Sequence, residues 1–260
     1  MSFTLNNILF DKIVGATISQ NDAVKAWLNQ LSSFTMSVSA DPIEYTDKDG
    51  VVIYRKYNAK SLEVSATNAF ISMDILKVTS GSDAVYATTE NKLKFPKIEE
   101  TSAATLNITG YVEGTMEVYG LTASGALLPT AYTLSDSDAS ETQYVIAGTT
   151  LTLPTDAAAK KYLVKYTREV ESGVMSTNES DKFAGASELV VKALAVDPCD
   201  KKLRAAYIVV PSFSVSPDVE LAINNGESST IDFSGTGLLN MCGTDKTLFY
   251  VAFAEEDTEE

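Results

Sequence analysis

The sequence predicts a mainly β protein with one or two short helices, and three observations point that way. Stretches with period-two alternation recur along most of the 260 residues, turn residues punctuate them, and only two stretches carry helical spacing. A chain of this length buries one large core or two of ordinary size.

The first element is predicted as a helix. Residues 19–31, SQNDAVKAWLNQL, place Val24, Trp27, Leu28 and Leu31 on one helical face behind an Asn21 or Asp22 cap. After it the period falls to 2. Phe34, Met36 and Val38 alternate with Ser and Thr, as a strand with one buried face requires.

Ile43 and Tyr45 carry that alternation up to an acidic stretch, and Val51, Ile53 and Tyr57 carry it away again. Thr46, Asp47, Lys48, Asp49 and Gly50 therefore read as the tip of a β-hairpin, because Gly after Asp tolerates the positive φ that such a turn demands. The two aspartates raise the question of calcium. With Gly50 as the sixth residue of an EF-hand loop, the first would be Tyr45 and the twelfth Lys56, and neither supplies the required oxygen. The loop turns the chain.

SLEVSAT, 61–67, is a further strand, and NAFISMDILKV, 68–78, is a helix capped by Thr67 or Asn68 and ended by Gly81 and Ser82. From residue 101 Thr, Ala, Ser and Gly dominate. ATLNITGYV, GTMEVYGL, TQYVIAG, TTLTLP and KYLVKYTREV follow at the spacing of a small β-sandwich, so 101–170 reads as an inserted immunoglobulin-like module. Residues 171–184 are polar and broken by Gly, which marks a connection. Beyond it ELVVKALAV, AAYIVVPSFSV, LAINN and TLFYVAFA are core strands, with Pro211 suited to a strand end or an edge. Residues 255–260 form an acidic tail.

Composition excludes several function classes. A net charge of −15 argues against wrapping DNA or docking on an anionic membrane, because phosphate binding needs Lys and Arg. Histidine is absent, which removes Ser-His-Asp triads, Cys-His dyads and most zinc sites. Cys199 and Cys242 are too few for a structural zinc site and are expected as two buried or half-buried thiols. Each precedes a strand in a similar turn, which predicts that both turns lie at the same end of one sheet. No basic leader or long apolar run is visible, so a cytoplasmic protein without membrane contact is expected and the sequons at Asn107 and Asn178 carry no weight. No cofactor and no metal are expected.

On four stretches the chain resembles the major tail proteins of long-tailed bacteriophages that carry an inserted Ig-like domain. They are FTMSVSADPIEYTDKDG after an early helix; YNAKSLEVSATNAF; the Ig-like middle; and a closing region with DPCDKKLRAAYIVVPSFSVSPDVEL and IDFSGTGLLNMCGTDKTLFYVAFA. The resemblance implies a tail-tube-like β-sandwich or barrel built from 1–100 together with 185–254, hexameric rings that stack through long hairpins, and a place in the virion beside other virion proteins, with DNA passing through unbound. Thr46 to Gly50 is then the candidate ring-stacking hairpin. Two readings of the acidity stand side by side: a lumen of carboxylates lets DNA slide, or the charge only keeps the protein soluble.

Three other functions stay open. An auxiliary or decoration protein of a capsid also suits an Ig-like module. A carbohydrate-binding or carbohydrate-processing protein would need paired carboxylates across a cleft. Glu113 and Glu117 can be nominated, but they fit the solvated face of a strand, and the single Trp27 is claimed by the helix stripe. A secreted Ig-like adhesin is the last. With neither histidine nor a nucleophile motif, the chain is expected not to be an enzyme.

Overall fold

The computed structural model describes residues 7–199, 201–221, 223, 225–226, 229–239 and 246–254. The chain divides into two compact units, residues 1–84 with 176–260, and residues 85–175. The first unit opens with β1 (Leu9–Gln20), β2 (Ala23–Leu28), β3 (Leu31–Ser39), β4 (Pro42–Thr46), β5 (Val52–Tyr57), β6 (Ser61–Asn68) and the helix α1 (Met73–Ser80). The second holds β7 (Val85–Tyr86), β8 (Leu93–Thr101), β9 (Thr105–Asn107), β10 (Glu117–Leu121), β11 (Leu127–Ala131), β12 (Thr133–Leu134), β13 (Gln143–Ala147), β14 (Thr150–Thr152), β15 (Lys161–Val170) and β16 (Val174–Met175). The chain then returns to the first unit as β17 (Ser187–Val196), β18 (Leu203–Val215), β19 (Glu220–Leu221), β20 (Ile231–Gly237) and β21 (Tyr250–Ala254).

One large sheet builds most of the first unit, in the order β2-β1-β17-β18-β20-β6-β3, with β19 beside β20 and β21 beside β18, and β4 and β5 form a separate ribbon. β18 is where it turns. Its first half lies between β17 and β21, while Phe213 to Val215 pair with β20. Pro211 sits at that change of partner, where Val210 and Phe213 face Leu189 and Ser187 across a register shift. A missing N–H costs no ladder bond at such a bulge, so Pro is accommodated inside a long strand rather than at the expected end or edge. The two halves of the sheet fold over one core, with Ile18, Leu28 and Val191 on one side and Leu62, Val64 and Phe233 on the other.

The helix expected over 19–31 is absent. β1 and β2 form a hairpin there, and Asn21 and Asp22 take left-handed φ values of 52° and 60°, as a two-residue hairpin turn requires. Ala26 and Leu28 turn inward. Trp27 lies on the opposite face over Gly15, where a Cβ would stand 2.7 Å from its ring. The second expected helix exists but starts later. Asn68 ends β6 as a buried residue whose amide donates to the Phe70 carbonyl at 2.6 Å, and Ser72 supplies the cap by accepting from the Asp74 N–H at 3.2 Å. Gly81, with φ 66°, ends α1 as a left-handed cap.

The second unit is a sandwich of two four-stranded sheets, β11-β10-β15-β8 and β12-β13-β14-β9, over a core that includes Val118, Tyr144, Leu151, Val164 and Tyr166. Its limits are wider than 101–170, because β8 pairs with β15 along its whole length and β7 pairs with β16. That last ladder sets the two ends of the unit side by side.

Cys199 is exposed and free rather than buried, and Cys242 lies outside the described residues. The strands that follow the two Cys turns start at opposite ends: Ala205 pairs with Ala254 and Val209 with Tyr250, so β18 begins beside the end of β21.

Candidate assembly interface

The predicted hairpin is present, and the structure brings its residues together as a shaped turn. Thr46 ends β4, the Gly50 N–H donates to the Asp47 carbonyl at 3.1 Å, and Gly50 has φ 83°. The Asp47 carboxylate accepts from the N–H groups of Asp49 at 2.9 Å and Val51 at 2.8 Å, which engages it in the turn and explains the acid without a metal. Lys48 pairs with Asp49 at 2.9 Å in full solvent, a contact worth little to stability.

The strands behind this tip are the unusual part. β4 and β5 pair only with each other among the described residues, and both faces of the ribbon are open. Tyr45, Val51, Val52, Ile53, Tyr54 and Tyr57 are all exposed, Ile53 at 68%. The Tyr45 and Tyr54 rings lie 5.7 Å apart, and Arg55 pairs with Glu44. Hydrogen bonds that the guanidinium donates to Tyr57 and then to Glu44 raise the Arg55 pKa above its ordinary value. A two-stranded ribbon is marginal in water without a hydrophobic partner. This one displays an apolar surface of the kind that marks interaction sites.

The strand edges of the two units differ in chemistry. Among the described residues β3 pairs only with β6, β2 only with β1 and β21 only with β18. β3, LSSFTMSVS, and β21, YVAFA, carry neither charge nor Pro, and β2 carries one Lys. In the second unit the β11-β10-β15-β8 sheet has guarded outer strands, with Pro96 among Lys94, Lys97, Glu99 and Glu100 on β8 and Pro129 on β11, while the other sheet ends in the short β9 and β12.

The first unit also shows two outer faces. Along β3, β6 and β20 every outward residue is Ser or Thr except Glu63 and Asp232, in cross-strand rows such as Thr35–Ser65–Ser234. Around β1, β17 and β18 the rows on the side away from the core run instead through Thr17, Val190 and Val209, through Gly15, Lys192 and Tyr207, and through Lys12, Leu194 and Ala205, of which Val209 and Ala205 are buried. Trp27 flanks that second face beside Thr17, and Tyr250 flanks it beside Val209.

A family model for the YomU/Tube protein family matches residues 51–251, from the start of β5 into β21. The chain belongs to that family. Membership in the YomU/Tube family makes it a tail-tube-related viral structural protein, as its β-rich fold accords with. No curated protein matches it. The tip residues Thr46 to Gly50 fall just before the matched span.

Sequence reasoning placed the hairpin but did not identify which strands form the open edges, nor the continuous hydroxyl face, of this YomU/Tube chain. A signal for the face was available: Ser, Thr or an acid stands at every second position in 33–39, 61–67 and 232–236. Glu113 and Glu117 form no cleft pair. Glu117 lies on β10 in contact with Lys165 at 3.1 Å and the Tyr119 hydroxyl at 2.9 Å, which hold its pKa below the ordinary range, Lys165 first.

Proposed function

We propose that this chain is a tail tube subunit that self-assembles into stacked hexameric rings, which enclose an acidic conduit for DNA in the virion. The first unit forms the wall and the second is an Ig-like sandwich inserted in it. The observation that carries this reading is the set of unguarded strand edges on the first unit, in contrast to a second unit whose outer strands are either very short or carry Pro or charge. Unpaired N–H and C=O groups on an apolar or neutral edge are a template for another strand, and an edge that meets a different edge on the next copy generates a ring when the rotation closes.

The β4–β5 ribbon supplies the axial contact, with Thr46, Asp47, Lys48, Asp49 and Gly50 at its leading end. Its exposed Val, Ile and Tyr side chains gain a partner when one ring meets the next. The role needs no turnover, cofactor or membrane. Assembly takes place in the host bacterial cytoplasm together with other virion proteins.

Negative-stain microscopy of the purified chain at rising concentration tests the reading. A tube subunit gives stacked rings. A decoration protein stays small until capsids are added, and that outcome replaces the tube with the capsid role.

A further inference from the structure

The first unit has two outer faces of opposite chemistry, and only one of them suits a moving polyanion. We infer that the outward face of β3, β6 and β20 lines the bore and faces the DNA, an inference that rests on the tube reading above.

Duplex DNA carries about one charge per 1.7 Å of axis, and it is held by Lys and Arg that displace its counterions. The β3–β6–β20 face has neither residue among its outward positions. Its ionisable groups are Glu63 and Asp232, joined by Glu220 of β19 opposite Asp232, all three exposed acids. Their repulsion of phosphate acts over a Debye length of about 8 Å at physiological salt, enough to keep a strand off the wall without a binding site. Single-stranded segments stack on aromatic rings, and this face has none. What remains is a layer of short hydroxyls that hold water.

The other face fails on each point. Lys12 is exposed and would hold phosphate, Trp27 offers a stacking surface, and Lys192 lies over the Tyr207 ring at 5.4 Å. Its half-buried Val190 and Leu194 gain from a protein cover rather than from an aqueous channel. β3 is both an open edge and part of the hydroxyl face, so a strand added there continues that face from one copy to the next.

The test places a single thiol on the face. In a Cys199→Ser, Cys242→Ser background, Ser65→Cys and, separately, Ser234→Cys are reacted with N-ethylmaleimide and with a bulky polyethylene-glycol maleimide, before and after tube growth. The expected result is that both reagents label dispersed subunits, whereas in tubes the small one still labels and the bulky one is lost. Labelling of tubes by both reagents puts the face outside and overturns the inference. Loss of both, or failure of the thiol variants to assemble while their parent does, makes the face a subunit contact and overturns it as well. These outcomes leave the tube itself standing. A parent chain that never forms tubes removes both proposals.

Discussion

The double substitution Val51→Thr with Ile53→Thr separates what the hairpin does for its own subunit from what it does for a neighbour. Both replacements keep the β-branch, so strand propensity is retained, and both leave the Tyr45–Tyr54 ring contact and the Glu44–Arg55 pair in place. In the isolated subunit Val51 is 60% and Ile53 68% exposed. Little apolar burial is lost there, and the change in stability stays within about 0.5 kcal/mol. Full burial of such side chains is worth about 1.5–3 kcal/mol each, and roughly two thirds of that is still available to a partner. Threonine keeps part of it, so the contact loses about 2 kcal/mol per subunit. That raises the critical concentration for tube growth roughly 30-fold. Light scattering gives the critical concentration and a thermal melt gives the subunit stability. Tube growth at the parent concentration, or a melt lowered by many degrees, refutes the reasoning, because the side chains would then be either idle or part of the subunit's own core.

Four further outcomes follow from the same structure. Replacing Asp47, Lys48 and Asp49 by Ala leaves β-rich circular dichroism intact but stops ring stacking, seen by microscopy; tubes of normal length reduce the hairpin to a turn. Gly15→Ala puts a methyl 2.7 Å from the Trp27 ring and 2.9 Å from the Leu28 carbonyl, so it destabilises the first unit by about 1–3 kcal/mol and shifts the emission of the only tryptophan. Residues 85–175 expressed alone fold and stay monomeric at high concentration in analytical ultracentrifugation, because their outer strands are short or guarded. Asp156 is held below the ordinary carboxylate range, first by the Tyr132 hydroxyl at 2.6 Å and then by the Ala158 N–H. Its folded pKa is depressed, so its contribution is complete above the unfolded value of about 3.9 and is lost as pH falls through the folded one. Tyr132→Phe weakens that acid limb in a pH series of melts, and an unchanged limb rejects the assignment.

Local chemistry was legible where it acts alone. Asp47 and Gly50 determine their turn through their own backbone, so the hairpin could be read from five residues. The stretch 19–31 could not, because Val24, Trp27, Leu28 and Leu31 fit a helical face as well as two strand faces. What decides between them is the pairing of β2 with β1, a tertiary contact, together with the left-handed Asn21 and Asp22. β8 escaped notice for a related reason: Lys94, Pro96, Lys97, Glu99 and Glu100 look like a loop, yet they are what a sheet border tolerates. The assembly surfaces are harder still. Whether a Ser-rich strand is an open edge depends on which strand lies beside it, and β6 lies 22 residues or more away from its partners on β3.

The account stands on the claim that the bare edge of β3 is completed by another copy, and amide hydrogen exchange measures that directly. Residues 31–39 are followed in dilute and in concentrated protein, with β8 as the guarded reference. The account predicts that the exchange of β3 slows strongly on concentration while β8 is unchanged. Equal exchange of β3 in assembled and dispersed protein contradicts it.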